Sequence, residues 1–257
     1  MGAYNASATI REALDSIIAQ TYPNWEVVVC DDGSQDDTLE ILSEYAGKDS
    51  RIRVFQNEHN MGLAATLNHC LEYACGAYIA RMDSDDLSTA DRFEKQVAFL
   101  KQHPEYEVVG SFVQAFDEDG MHHIIACREH PTRYDLPKGS PFEHGSIMMR
   151  ASAMRALNGY RISEHTVRTE DADLWYRFYA AGFKGANIAQ PLYCFRLDDA
   201  AYKRRKLKYM VHAAYIVWDG CNLLGLPFYY KIYCLKPILS WLLPRKLKNG
   251  LRKWVIR

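Results

Sequence analysis

The first hundred residues alternate between two spacings of apolar positions. Apolar residues three and four apart predict helices in "SATIREALDSIIAQ" (7–20), "MGLAATLNHCLEYA" (61–74) and "DRFEKQVAFLKQH" (91–103). A further helix is predicted after the loop "DDGSQDDT" (31–38) and ends at about Tyr45. Short apolar runs bounded by turn residues predict buried strands at residues 25–30, 51–57 and 76–79. Such alternation is typical of an α/β fold, and we expect a mostly parallel sheet with helices on both faces.

The pattern is less regular after residue 100. Strands are predicted at 107–116 and 190–197, and "EDADLWYRFYAAG" (170–182) has the spacing of a helix with acidic residues in its first turn. From Lys203 onward the chain is basic, aromatic and predicted to be helical. We therefore expect two units, a domain over residues 1–202 and a tail over residues 203–257.

Charge separates the same two units. The net charge of −1 conceals 13 basic residues and one acidic residue after residue 202, against 18 basic and 31 acidic residues before it. The seven cysteines are odd in number and show no metal-ligand spacing, which predicts reduced core thiols in a cytoplasmic protein. The first ten residues lack a basic segment followed by an apolar one, so we expect no signal peptide.

The tail mixes basic, aromatic and apolar residues. Its longest uncharged run, residues 220–230, has 11 residues, whereas a helix needs about 20 to span a bilayer. Such a mixture favours a segment that lies on an anionic membrane surface. A helical subdomain packed on the acidic body is the alternative, and no recognition motif supports nucleic acid as a partner.

Candidate chemistry lies where two predicted strands end. Asp31 and Asp32 follow one strand, and Asp83, Asp85 and Asp86 follow another. Ligands of parallel α/β sheets bind at this edge. An Asp-x-Asp pair offers the hard oxygen ligands that suit Mg²⁺ or Mn²⁺, although a solvated turn capping the next helix remains an alternative.

A calcium-binding loop starting at Asp83 is excluded. Its fifth and sixth positions would be Leu87 and Ser88, where that loop requires an oxygen ligand and a glycine. Thr9 and Glu12 have the spacing of a capping box at the start of the first helix.

Seven short segments occur together in an order that identifies a family. They are "GAYNA" (2–6), "VVVCDDGSQDDT" (27–38), "NMGLAATLN" (60–68), "ARMDSDD" (80–86), "HGSIMMR" (144–150), "LNGYR" (157–161) and "EDADLWYR" (170–177). Over residues 2–197 the chain resembles the inverting, non-processive bacterial glycosyltransferases of family 2, which have the GT-A fold. The resemblance implies a metal-dependent transferase that uses Mn²⁺ or Mg²⁺.

The resemblance also implies a set of residues that bind the nucleotide sugar. Tyr4 and Asn5 correspond to the loop that packs on the nucleotide base, and Asp31 and Asp32 to the acids that bind the base. Asp83 corresponds to the residue that contacts both ribose and metal.

Metal binding and catalysis are implied at the other positions. Asp85 corresponds to the metal ligand proper, with Asp86 supporting it, and Asp171 to the general base, with Glu170 beside it. Crowding beside Glu170 would raise the pKa of Asp171, whereas a helix N-terminus would lower it. Alone, Glu170 and Asp171 could merely favour the positive end of their helix, and Asp31 and Asp32 could merely shape a turn.

The implied reaction adds a single hexose or N-acetylhexosamine, because the Gln-x-x-Arg-Trp motif of processive members is missing after Asp171. We expect a UDP-sugar as donor and a lipid-linked or polysaccharide acceptor at the inner face of the cell membrane. A sugar nucleotidyltransferase would need a glycine-rich, lysine-containing loop near the N-terminus, which this sequence lacks. A non-catalytic nucleotide-sugar-binding protein is the other alternative, which hydrolysis of donor without acceptor would exclude.

The family enters the loop equivalent to "AYN" from a buried apolar strand, and Met1 occupies that place here. We therefore expect that this first strand is missing and that Met1 is an internal residue of a longer reading frame. The structure should then have no strand before Tyr4 and a strand-wide gap beside residues 27–29.

Overall fold

A computed structural model describes residues 1–197 and 206–242. Part of the predicted tail, residues 203–205 and 243–257, therefore lies outside the described residues. The helices are α1 (Ile10–Ile18), α2 (Thr38–Lys48), α3 (Leu63–Tyr73), α4 (Arg92–Gln102), α5 (Ala151–Ala156), α6 (Glu170–Ala180), α7 (Leu207–Leu223) and α8 (Leu235–Leu242). Short 3-10 helices lie at Leu136–Lys138, His144–Ser146, Glu164–Thr166 and Phe228–Cys234.

The described strands form two sheets. They are β1 (Gly2–Ala3), β2 (Val27–Asp31), β3 (Ile52–Gln56), β4 (Tyr78–Ala80), β5 (Leu87–Ser88), β6 (Val108–Asp117), β7 (Gly120–Ile125), β8 (Met148–Arg150) and β9 (Gly185–Arg196). β1, β2 and β3 form a parallel sheet, and β4, β8, β6, β9 and β5 form a second sheet in that order, with β7 on β6.

The expected parallel pairing is found in the first sheet but not throughout the second. β6 and β9 pair in parallel, whereas the other pairs of the second sheet are antiparallel. The molecule is thus an α/β fold with a mixed sheet. The alternating pattern of the first hundred residues could not reveal this, because β6, β8 and β9 come later in the chain.

The prediction that no strand precedes Tyr4 is wrong. Gly2 and Ala3 pair in parallel with Cys30 and Asp31, and the Met1 amino group donates to the Val28 carbonyl oxygen at 2.8 Å. Two residues suffice for a strand because β2 already presents its backbone groups at this edge. Val27 itself pairs with a described strand on the β3 side only.

The gap expected beside residues 27–29 is found beside Val27 and Val28, whereas Val29 does not line it. A groove of about 800 Å³ runs along Val27 and Val28 and is also lined by β4. Apolar side chains from four helices line it, among them Ile17, Leu67, Leu71, Phe93, Val97 and Met154. The groove lies between β2 of the first sheet and β4 of the second.

The predicted capping box of α1 does not form. Neither Thr9 nor Glu12 caps the helix through its side chain, because both side chains contact residues far along the chain. The Thr9 hydroxyl donates to the Ser84 carbonyl oxygen at 3.0 Å, and Glu12 forms an ion pair with Arg196.

The described part of the tail begins with α7, which packs on α6. A Cβ atom at Gly220 would lie 2.2 Å from the ring of Tyr176, so glycine permits this close contact. Beyond α7 several large apolar side chains are exposed, namely Phe228, Tyr229, Ile232, Leu235, Leu239 and Leu242. Within residues 1–197 and 206–242, no helix is both long and apolar enough to cross a membrane.

Candidate active site

Asp31 and Asp32 end β2 and have different surroundings. Both side chains are buried. Asp32 accepts three hydrogen bonds, from the Asn57 side chain at 2.8 Å and from the backbone N–H groups of Met61 at 2.8 Å and Gly62 at 2.9 Å. Asp31 accepts one, from Ser34 N–H at 3.1 Å, and its Oδ1 atom is buried without a partner. Asp31 thus retains a buried acceptor for a ligand, whereas Asp32 fixes the segment that leads into α3.

The loop at residues 4–9 joins this position to the second acidic turn. Asn5 adopts a left-handed backbone (φ 49°), and its N–H donates to the Ser34 hydroxyl at 2.9 Å. Tyr4 beside it is 45% exposed, so its ring is accessible for stacking. At the other end of the loop Thr9 bonds to Ser84, so both acidic segments border one loop.

The three carboxylates after β4 are not equivalent. Asp83 forms an ion pair with the buried Arg81 at 2.6 Å. Asp86 is 2% exposed and accepts from the Tyr193 hydroxyl at 2.8 Å and from Arg196 N–H at 2.7 Å. Asp85 is exposed. Asp86 therefore anchors the turn, whereas the carboxylates of Asp83 and Asp85 are accessible to solvent.

Burial and the neighbouring Asp83 raise the pKa of Asp86 to about 7. Hydrogen bonds from Arg196 and Tyr193 oppose this rise, because they favour the charged form. The raised pKa thus belongs to the acid of this turn that is buried.

Glu170 and Asp171 begin α6. Burial raises the pKa of Asp171, and hydrogen bonds from the backbone at the start of the helix and the charge of Arg81 oppose the rise. Burial likewise raises the pKa of Glu170, with Asp171 adding to the effect. The effect of desolvation on the pKa of Asp171 therefore exceeds that of the helix N-terminus. Crowding and the helix N-terminus are evident from the sequence, whereas desolvation is not.

Electrostatic coupling connects the start of α6 with the turn after β4. Asp83 and Arg81 both act on the pKa of Asp171. The same two residues act on His144, whose pKa burial lowers to about 3, so its ring is neutral. The His144 ring bonds to the Tyr160 hydroxyl at 2.8 Å. Asp83 and Arg81 therefore lie close enough to Asp171 and His144 to influence the pKa values of both, and Arg81 is the buried cation of this group.

The carboxylates of the turn after β4 are compatible with a divalent cation. In the part of the chain that the structure describes, no group of three or more His, Cys, Asp or Glu side chains is arranged around a possible metal position. Mg²⁺ and similar ions commonly use one or two carboxylates and complete their coordination with water and phosphate oxygens. Asp83 and Asp85 supply that number of carboxylates.

Sequence reasoning did not identify Arg81, Tyr193 or Arg196. Arg81 is 6% exposed although it is charged, and it directly precedes the acidic turn, a signal that could have been used. Tyr193 and Arg196 lie more than 100 residues beyond the turn, and no local pattern connects them with it.

Known proteins resemble this chain in sequence. Residues 1–157 match the family model described as glycosyl transferase family 2. The chain is 47% identical over 254 residues to the putative glycosyltransferase EpsE of Bacillus subtilis (strain 168), covering 98% of this chain and 91% of that protein. Over 100 residues it is 43% identical to the UDP-Glc:alpha-D-GlcNAc-diphosphoundecaprenol beta-1,3-glucosyltransferase WfgD of Escherichia coli, 39% of each chain.

Solved structures show the same fold. The S. aureus TarS fragment 1–349 in complex with UDP-GlcNAc superposes with a TM-score of 0.71 at 19% identity, covering 91% of this chain and 71% of that one. The mannosyltransferase PcManGT from Pyrobaculum calidifontis, in complex with GDP-Man and Mn2+, superposes with a TM-score of 0.68 at 16% identity, covering 99% and 78%. The arrangement of strands and helices described above is thus the GT-A fold.

Proposed function

This chain belongs to glycosyl transferase family 2, and we propose that it transfers one sugar from a UDP-sugar to a lipid-linked or polysaccharide acceptor with inversion at the anomeric carbon. The proposal is carried by the electrostatic coupling of Asp171, whose pKa is raised, with Asp83 and Arg81, from which we infer that these carboxylates face one cleft. The complex of TarS with UDP-GlcNAc and the name of WfgD support the classes of donor and acceptor.

Asp31 and the loop of Tyr4 and Asn5 bind the base. The unpartnered Oδ1 of Asp31 accepts the ring N–H of uracil, and a buried acceptor without a partner is costly enough to favour that bond. The exposed ring of Tyr4 stacks on the base. Asp32 contributes indirectly by holding the segment at Met61 and Gly62.

Asp85 and Asp83 would hold Mn²⁺ or Mg²⁺. When bound, the cation supplies Lewis-acid stabilisation to the departing diphosphate, so that this leaving group needs no proton from the protein. One general base is then sufficient for the reaction.

Asp171 is that base, with Glu170 beside it. It takes the proton of the acceptor hydroxyl as the oxygen attacks the anomeric carbon on the face opposite the diphosphate, which inverts the configuration. A raised pKa makes a carboxylate a stronger base at neutral pH. Asp171 in turn raises the pKa of the neighbouring Glu170, so a second acidic group with a raised pKa lies beside the base.

The tail, residues 203–257, holds the protein on the cytoplasmic face of the cell membrane. Its described part exposes Phe228, Tyr229 and Ile232 beside Lys231 and Lys236. Apolar side chains next to cations suit the boundary between anionic headgroups and acyl chains. A peripheral position there gives the cleft access to a lipid-linked acceptor.

Titration calorimetry with UDP and Mn²⁺, combined with a transfer assay, tests the assigned roles. Asp85→Asn should abolish metal-dependent binding of UDP, whereas Asp171→Asn should bind UDP normally and lose transfer. The two carboxyls are matched in size and charge, so each variant controls for the other. Equal loss of UDP binding in both variants would contradict the assignment, and transfer by Asp171→Asn at the native rate would contradict the proposed base.

A further inference from the structure

Arg196 joins three elements around the turn of residues 83–86. It ends β9, and its backbone N–H donates to Asp86 Oδ1 at 2.7 Å. Its Nε donates to the carbonyl oxygen of Asp85 at 2.7 Å, and its guanidinium forms an ion pair with Glu12 of α1. The guanidinium also lies 4.5 Å from the centre of the Phe116 ring.

We propose that Arg196 and Glu12 are positioning residues for the metal-binding turn, which hold its backbone so that the Asp85 carboxylate is directed into the cleft. This inference rests on the proposed function, because it assumes that Asp85 binds the cation. It assigns a role to a pair of side chains that belong to neither the nucleotide-binding nor the catalytic residues.

The turn is held at successive carbonyl groups from two directions. Thr9 donates to the carbonyl oxygen of Ser84, and Arg196 donates to that of Asp85. Asp86 is fixed by Tyr193 and by the backbone of Arg196. The turn is therefore held at three successive residues, Ser84, Asp85 and Asp86.

The ion pair between Glu12 and Arg196 has an orienting role. The side chain of Glu12 is 60% exposed and that of Arg196 is 19% exposed, so solvent screens the pair on the Glu12 side and limits its contribution to stability. The pair does orient the planar guanidinium so that Nε faces the Asp85 carbonyl oxygen. A lysine could not replace this arrangement, because one ammonium group lacks the fixed fork of donors.

The experiment measures the affinity for Mn²⁺ by electron paramagnetic resonance in the presence of saturating UDP, together with Tm. Arg196→Gln should weaken Mn²⁺ binding at least about tenfold, as loss of groups that orient metal ligands does. Arg196→Lys should recover little of it. Glu12→Gln should cause a smaller loss, and the double variant should bind Mn²⁺ no more weakly than Arg196→Gln, because the two residues act through one contact.

Arg11→Gln is the matched control. Arg11 lies on α1 next to Glu12. It forms an exposed ion pair with Glu44 at 2.8 Å, and this pair does not contact the turn. It should leave the Mn²⁺ affinity unchanged. Native Mn²⁺ affinity in Arg196→Gln, with or without a lower Tm, would overturn the positioning role and leave the proposed function standing. If the wild-type protein bound no Mn²⁺ with UDP, both the proposed function and this inference would be overturned.

Discussion

The two adjacent acids at the end of β2 should respond in opposite ways to the same substitution. Replacing each by Asn keeps its size and removes one acceptor. Asp31 has a single hydrogen bond to lose, from Ser34 N–H, and the carbonyl oxygen of Asn can still accept it. We therefore expect Asp31→Asn to change the free energy of unfolding by about 1 kcal/mol or less.

Asp32→Asn should destabilise the protein. Its two oxygens accept from three donors, two of them backbone N–H groups at the entry to α3. An amide has one acceptor oxygen, so at least one buried donor would face an NH₂ group. Leaving a donor unsatisfied costs about 1–3 kcal/mol, and a loss of about 2–3 kcal/mol lowers the Tm of a chain of this size by about 5–10 °C.

Binding of UDP should show the reverse order. Asp31→Asn would place an NH₂ group where the buried Oδ1 now has no partner, which opposes the uracil N–H. Loss of a hydrogen bond to a charged acceptor, about 1.5–3 kcal/mol, corresponds to a Kd about 10- to 100-fold higher.

Scanning fluorimetry and calorimetry on the two variants separate the effects. Asp32→Asn should bind UDP nearly normally below its Tm, and Asp31→Asn should melt with the wild type. Native UDP affinity in Asp31→Asn, or an unchanged Tm in Asp32→Asn, would refute the assignment of one acid to the ligand and the other to the fold.

Four further outcomes are expected. Asp171→Asn should have a higher Tm than the wild type at pH 8 and the same Tm near pH 4. A pKa that is raised in the folded state stabilises the wild type below the unfolded pKa, and this stability is lost as pH rises through the folded pKa. An equal difference in Tm at both pH values would contradict this. The kcat/KM of the wild type should fall on the acid side as Asp171 is protonated, with an apparent pKa higher than that of an ordinary aspartate, and an acid limb unaffected by Asp171→Glu would argue against the base. The backbone N–H groups of Val28 and Ala80 face the groove and should exchange their hydrogens quickly. An apolar four-residue segment fused ahead of Met1 should slow this exchange and raise Tm, whereas the same segment with a central Pro should not. Ile232→Asp should weaken binding to anionic vesicles, which should also fall with added salt; binding that ignores both changes would remove the tail from the membrane proposal.

Local patterns were sufficient to predict the elements that place the carboxylates. Strand β2 and helices α1 to α4 are coded by runs of neighbouring apolar residues, and their observed ends differ from the predicted ones by a few residues. The acidic segments could be placed for the same reason, since each directly follows a strand that its own sequence predicts.

What could not be predicted depends on contacts between distant residues. Thr9 and Glu12 satisfy the spacing of a capping box, yet each is used by a residue that is brought close only by the fold, Ser84 and Arg196. The antiparallel pairing of β8 with β4 and β6 likewise depends on strands that are far apart in sequence. The inequality of Asp31 and Asp32 has the same origin, because Asn57, Met61 and Gly62 determine it.

The crowded acids of the turn are largely compensated from within the chain. Arg81 forms a buried ion pair with Asp83, and Arg196 donates its backbone N–H to Asp86. With a pKa of about 7, Asp86 is partly protonated at neutral pH, so the turn carries less negative charge than its sequence suggests. Asp85 is the exposed carboxylate of the turn, and a cation bound there would offset part of the negative charge of the turn, so the position of this side chain matters to the proposed metal site.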